Sequence, residues 1–181
     1  MSDGCPAAAM NEARALGSRL HIAEADPQGQ PALALLAEAA AEAAALYPEL
    51  HDPARPGPGN PPTPPGGVYL LAWLDGVAVG SGALRPLPGG QAGVGELRRL
   101  FVCRHARRQG VAAAIVAALE ARAPGLGYRL LRLETGCRQT PAVALYTALG
   151  WRRIEPFGPY ADDPTSVCFE KPVGMPPAEV A

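Results

Sequence analysis

Apolar and polar positions change period several times along this chain, and each change marks an element. Leu20 and Ile22 alternate with polar neighbours over Ser18 to Ala25, a first strand closed by Asp26-Pro27. Pro31 to Leu50 predicts a helix: Pro31 suits the first turn, and Leu33, Leu36, Ala40 and Ala44 recur at helical spacing. His51 to Gly67 is rich in Pro and Gly and almost free of apolar side chains, too long for an ordinary connection. It reads either as a disordered insertion or as a lid over a substrate site. Val68 to Leu74 and Val77 to Leu84 are apolar runs around Asp75-Gly76, a two-residue hairpin signal.

Further along, Pro86 to Gly90 is a turn and Val94 to Cys103 a strand. Gln109 to Arg122 predicts an amphipathic helix with Val111, Ala114, Ile115, Ala118 and Leu119 on one face, stopped by Pro124-Gly125. Tyr128 to Glu134 alternates as a strand. Pro141 to Leu149 is a short helix with Gly150 in the C-cap place. Trp151 to Ile154 and Ser166 to Lys171 close the pattern as strands. The order is strand, helix, three strands, helix, strand, helix, two strands, which predicts a mixed α/β (α+β) sheet layered with helices in a single domain. Residues 1–17 read as a loose leader, 18–173 as the domain and 174–181 as a tail.

Composition narrows the function. Of 181 residues, 48% are hydrophobic and 18% charged, enough for a core and against wholesale disorder. Sixteen basic and seventeen acidic side chains give a net charge of −1, unlike a general nucleic-acid binder. Cys5, Cys103, Cys137 and Cys168 are too far apart for a zinc or redox pair, so neither a metal nor a disulfide framework is expected. The most apolar run, Gly110 to Leu119, is about half of the twenty residues that span a bilayer, and the first residues lack a signal-peptide pattern. A cytoplasmic protein without membrane or nucleic-acid partners is the expectation.

The chemistry concentrates in ELRRLFVCRHARRQGVAAA, starting at Glu96. A strand ends near Cys103, a basic loop follows, and Arg107-Arg108-Gln109-Gly110-Val111-Ala112 opens a helix. A first helical turn leaves unpaired N–H groups and partial positive charge. Gly110, Ala112 and Ala113 allow close backbone approach, and Arg104, Arg107 and Arg108 add charge, so the segment suits a pyrophosphate. No Gly-Lys-Ser/Thr follows, so it is not a Walker loop, and it is not a GxGxxG fingerprint. Read alone, it is equally a basic loop before a helix.

RRQGVA resembles the Arg/Gln-x-x-Gly-x-Gly/Ala signature of the GNAT superfamily of N-acetyltransferases, with Arg107, Gly110 and Ala112 in the defining places. AVALYTALGW, Ala142 to Trp151, resembles the same superfamily's second motif. FGPYADDPTSVCFEKPV looks like the end of a group of small bacterial members. The resemblance spans about residues 18–173. It implies the GNAT acyl-CoA N-acyltransferase fold and acetyl-CoA as acyl donor. It implies a donor site built from Phe101, Val102, Cys103, Arg107, Arg108, Gln109, Gly110, Val111, Ala112 and Ala113. Where the superfamily often has Asn against the pantetheine arm, this chain has Gln139.

Acetyl transfer needs a deprotonated amine, a donor for the oxyanion and a proton for the leaving thiolate. The resemblance implies a backbone N–H near Val102 as the oxyanion donor and Tyr146 as the general acid. Tyr146 can equally be a packing residue of its helix. Glu96 lies an even number of positions before Val102, which predicts that both share a strand face. That makes Glu96 the candidate general base, direct or through water; otherwise it is a strand-end carboxylate paired with Arg98 or Arg99. Cys103 as a nucleophile lacks a visible His–carboxylate pair. Tyr160, Asp162 and Asp163 would border the acceptor cleft or form a solvated turn. Trp73 would line the cleft or sit in the core. The function expected is transfer of an acetyl group to a small primary amine by direct attack. A protein N-terminal or lysine acetyltransferase, a non-catalytic CoA-binding regulator and local nucleic-acid contact through Arg104 to Arg108 stand as alternatives, and a homodimer is possible.

Overall fold

A computed structural model describes residues 20–50, 52, 57–90 and 92–174. The expectations for residues 1–17, including Cys5, and for 175–181 lie outside these residues. One seven-stranded sheet carries the fold: β1 Leu20–Glu24, β2 Val68–Leu74, β3 Val77–Pro86, β4 Val94–Val102, β5 Leu130–Gly136, β6 Arg152–Ile154 and β7 Ser166–Pro172. The strand order is β1-β2-β3-β4-β5-β7-β6. Every neighbouring pair is antiparallel except β4 and β5. That parallel pair needs a crossover, which helix α2, Val111–Arg122, supplies. Helix α1, Gln30–Leu46, lies on the opposite face, and α3 is Thr140–Ala148.

The expected hairpin is present. Asp75 at φ 52° and Gly76 at φ 79° turn β2 into β3, the left-handed pair that matches strand twist. The helices begin where Pro and Gly place them, but the first one ends early. The predicted helix to Leu50 stops at Leu46, and Pro48–Leu50 forms a separate single 3-10 turn, because Pro48 cannot continue the α-helical ladder. The buried positions of α1 are Ala32 and Leu35, while Leu33, one of the positions that recur at helical spacing, is 44% exposed. In a helix this rich in alanine the apolar stripe is too broad to fix the buried face from spacing alone.

Two clusters cover the two sheet faces. One packs Leu70, Val79, Leu97, Val102, Leu131, Leu133 and Phe169 against Val111, Ile115 and Leu119 of α2. The other packs Tyr69, Leu71 and Cys103 against Ala32 and Leu35 of α1, with Trp73 half-buried beside them; Trp73 is thus a core residue. Glycines on β3 set how close α2 can come. A Cβ on Gly82 would stand 2.6 Å from Ile115 Cγ2, so the helix rests directly on the strand backbone.

The end of the Pro/Gly-rich segment lies ordered against the α1-side face. The buried Asn60 donates from Nδ2 to the carbonyl oxygen of Pro27 at 2.9 Å, and Arg99 donates to that of Gly59 at 2.9 Å. The Tyr128 hydroxyl binds the Gly66 carbonyl.

Candidate active site

The site begins with a fault in the sheet. β4 and β5 are paired over four positions, from Val94↔Leu130 to Leu97↔Leu133. β4 then continues to Val102 and β5 to Gly136 without pairing, so the strands separate. On its other side β4 carries a bulge. Ala83 faces Arg98 and Ser81 faces Phe101, which leaves Arg99 and Leu100 opposite the single residue Gly82. Arg99 sits at φ 59°, and the buried Ser81 hydroxyl donates to its carbonyl at 2.9 Å. A bulge bends and twists its strand, which turns the end of β4 away from β5.

Val102 stands at this opening. The Cys103 amide donates to Val79 on β3 at 2.8 Å. Successive amides of a strand point to opposite edges, so the N–H and C=O of Val102 face the gap. From that side Arg107 Nε donates to the Val102 carbonyl at 2.9 Å.

The bulge also corrects an expectation. One extra residue between Glu96 and Val102 inverts the alternation, so they lie on opposite faces. Val102 packs toward α2, whereas Glu96 turns to the α1 side and meets Arg85 and Tyr160.

The basic loop leads from the gap into α2. Arg104–Ala106 forms a 3-10 turn, Arg107 is extended, Arg108 has φ 65°, and Gly110 caps the helix at φ 77°. The first bond of α2 runs from the Ala114 amide to the Gly110 carbonyl at 3.0 Å. The amides of Val111, Ala112 and Ala113 precede it and find no side-chain cap at Gly110. Gln109 donates from Nε2 to the His105 carbonyl at 3.1 Å and braces the turn. The expected cluster of three arginine charges is divided. Arg104 and Arg107 reach Glu42 of α1 at 3.0 and 2.7 Å, while Arg108 is exposed and forms no ion pair among the described residues. Burial works against ionisation of Glu42, but the hydrogen bonds from Arg107 and Arg104 outweigh it and hold the carboxyl below its ordinary range.

Tyr146 arrives from α3. It is 4% exposed, with its ring edge-on to Trp151 at 5.8 Å and tilted against Phe169 at 5.7 Å. Burial first, and the charge of Glu134 second, push its phenol well above the usual range. Gln139 is the N-cap residue of α3, and its side-chain oxygen receives the Thr135 hydroxyl at 2.6 Å. Cys103 is buried, and burial together with Glu38 pushes its thiol up to about 11, so it is a thiol and not a thiolate near neutral pH.

The acidic side of the gap holds two carboxylates. Glu96 is 1% exposed; its Oε2 accepts Arg85 Nε at 2.8 Å and Nη2 at 2.7 Å, and its Oε1 accepts the Tyr160 hydroxyl at 2.8 Å. Neither Arg98 nor Arg99 pairs with it. Burial, then the bond to Glu96, pushes Tyr160 up to about 12. Glu134 on β5 is the residue that sequence reasoning missed. Its Oε1 accepts the Ser166 hydroxyl at 2.9 Å. Burial raises its pKa, with Asp163 and Glu96 adding to the rise and Ser166 and Arg98 opposing it. One signal was available: Glu134 lies late on a strand next to the chemistry-bearing one, where ligands of parallel pairs collect. Asp163 accepts the Thr165 amide at 2.8 Å and hydroxyl at 2.7 Å, and Asp162 is exposed, so these two form a turn while Tyr160 alone enters the site.

The site is thus a sheet whose single parallel pair splits, beside a helix start with open amides. Residues 33–151 match the Acetyltransferase (GNAT) family, and the chain belongs to that family as an N-acetyltransferase. It is 38% identical over 105 residues to the IAA acetyltransferase of Azospirillum brasilense, covering 58% of this chain and 67% of that protein. It is 34% identical over 106 residues to the uncharacterized N-acetyltransferase YsnE of Bacillus subtilis, covering 58% and 68%. A Klebsiella pneumoniae structure assigned as an acyl-CoA N-acyltransferase superposes with TM-score 0.69 at 33% identity, over 86% of this chain and 98% of that one. A GNAT acetyltransferase from Elizabethkingia anophelis with acetyl-CoA bound has the same fold, with TM-score 0.60 at 16% identity over 86% and 99%. Among the described residues no helix is long and apolar enough to cross a membrane.

Proposed function

We propose that this chain transfers the acetyl group of acetyl-CoA to the primary amine of a small molecule by direct attack in a ternary complex. The observation that carries the reading is the Val102 amide facing the opening between β4 and β5, with the amides of Val111 to Ala113 beyond the adjoining loop. A pyrophosphate on those amides directs the pantetheine arm into the opening, past Gln139, and brings the thioester oxygen to Val102. The structural relative that holds acetyl-CoA supports this choice of donor.

In this reading the amine nitrogen attacks the thioester carbon, the negative charge on oxygen rests on the Val102 N–H, and the C–S bond then breaks. Tyr146 gives its proton to the departing sulfur. Burial keeps the phenol protonated but makes it a weaker acid, so the charge developing on sulfur has to drive the transfer. The proton lost by the amine goes to Glu134, directly or through water, because a carboxylate with a raised pKa is the better proton acceptor. Glu96, held by Arg85 and Tyr160, takes part only through Tyr160 or an ordered water.

Residues 59–64 partly cover the α1-side entrance, which favours a small acceptor over a protein segment. The test is an amine panel with thiol release as the readout, preceded by thermal denaturation with acetyl-CoA. Stabilisation and amine-dependent thiol release are expected. Stabilisation without release for any amine would leave a CoA-binding regulator instead. No stabilisation at millimolar acetyl-CoA would remove the donor site itself.

A further inference from the structure

Beside the reacting gap, on the α1-side face, an open pocket lies between β2–β4 and the segment around Asn60. Three arginines line it, Arg85, Arg98 and Arg99, with Tyr69 on its floor. Each guanidinium is accounted for differently. Arg85 is neutralised by Glu96 at 2.7 Å. Arg99 is half-buried and spends one donor on the Gly59 carbonyl, which carries no charge. Arg98 forms no ion pair among the described residues, although it is half-buried. Among the described residues, then, neither Arg98 nor Arg99 is in an ion pair with a carboxylate. Burial, followed by the charges of Arg98 and Arg85, pushes Arg99 below the ordinary arginine range, as close packing of cations demands.

Arg98 faces two ways. It lines the pocket, and it lies near enough to Glu134 and Tyr160 for its charge to bear on both. Yet Arg98 and Glu134, on neighbouring strands, form no ion pair with each other. A cation and an anion held apart at one end of a cleft complement a molecule that carries both charges at short separation.

We propose that the acceptor is an amine that also bears a carboxylate, of the amino-acid class, with the carboxylate on Arg98 and Arg99 and the amine toward Glu134 and the gap. This rests on the transfer reading above and names its substrate class. Guanidinium is suited to the task, since it offers several fixed donors to one carboxylate and stays charged. The segment around Asn60 shields one side of the pocket, and a contact shielded from solvent is stronger than one in open water. The segment from Gly59 to Pro64 is then a wall of the specificity pocket, which gives the Pro-rich stretch a role.

The experiment pairs amino acids with their decarboxylated counterparts: leucine with isopentylamine, serine with ethanolamine, tyrosine with tyramine. The full chain is assayed with acetyl-CoA and thiol release. At least one acid should exceed its partner about 10-fold or more in kcat/KM, the size expected for a charge-assisted hydrogen bond. Arg98→Gln should lower that ratio severalfold, mainly through KM, with Arg99 keeping the remainder, and Arg98→Lys should fall between. Should Arg98→Gln fail to fold, inhibition of the wild-type protein by 4-methylpentanoate gives an independent reading: competition with the amine is expected. Ratios near one in every pair, an unchanged ratio in Arg98→Gln, or no competition by the carboxylate would overturn the proposal. Acetylation of the decarboxylated amines alone would overturn it while leaving acetyl transfer standing. Absence of thiol release with every compound would remove the transfer reading and this inference together.

Discussion

Arg107 Nε holds the carbonyl oxygen of Val102 at 2.9 Å, so one side chain joins the loop that opens α2 to the residue whose amide faces the reacting gap. The same guanidinium meets Glu42 of α1 at 2.7 Å and lies 5.7 Å from the centre of the Phe101 ring. In the proposed reaction, donor binding and oxyanion geometry are therefore tied at one point.

Arg107→Ala should raise the KM for acetyl-CoA and lower kcat together, since both the loop and Val102 lose their anchor. A loss of about 1 kcal/mol, the usual net worth of one hydrogen bond, corresponds to roughly fivefold in affinity. Glu42→Gln removes the ion pair but spares the Val102 contact, and a partly exposed pair is worth at most about 1 kcal/mol. Titration of both variants with acetyl-CoA should show the smaller effect for Glu42→Gln. The opposite order would mean that the ion pair, and not the carbonyl contact, positions the loop.

Tyr146→Phe keeps the ring that packs on Trp151 and Phe169 and removes the hydroxyl. If Tyr146 protonates the leaving thiolate, kcat should fall about 10²-fold, within the usual range for a general acid, while KM for acetyl-CoA and the melting temperature hold. Steady-state kinetics beside a melting curve separates this from a packing defect, which would lower both kcat and Tm.

As the proposed base, Glu134 must be ionised to accept the amine proton, so activity should rise with pH through its pKa, above the ordinary glutamate value. The Ser166 hydroxyl donates to the charged form and stabilises it. Ser166→Ala removes that bond, the pKa rises further, and the acid limb of the kcat profile should move to higher pH. Glu134→Gln should abolish the limb. A limb that stays in place in Ser166→Ala would assign it to another group.

Gly110→Ala and Gly82→Ala test two different uses of glycine. At Gly110 an added Cβ meets nothing within 4 Å, so the cost is the left-handed backbone alone, about 1–2 kcal/mol. At Gly82 the Cβ would press on Ile115 Cγ2 at 2.6 Å, an overpacking cost of about 1–3 kcal/mol. Both should lower Tm. Replacing Ile115 by Ala, which removes Cγ2, should cost less in the Gly82→Ala background than in the wild-type protein, and no such coupling should appear with Gly110→Ala.

Much of this was legible in the sequence because short-range chemistry decided it. Asp75-Gly76 marks its hairpin through backbone conformation, and the loop-to-helix start at Gly110 declares itself through glycine and small residues. Pairings between distant segments left no such mark. Glu42 is more than sixty positions from the arginines it engages, and nothing in the Ala-rich helix around it signals the contact. The bulge was hidden for another reason: its left-handed residue is Arg99, not glycine, so the stretch reads as an uninterrupted strand. That single misreading placed Glu96 on the face of Val102 and left Glu134, on the neighbouring strand, out of view.

The extra position in β4 also makes that strand's length a digital quantity. Deleting Arg99 or Leu100 would restore strict alternation and exchange inner for outer side chains on one half of the strand. Either the acidic half would turn into the apolar layer beneath α2, or Val102 would leave it. Insertions and deletions should thus be nearly forbidden between Glu96 and Cys103.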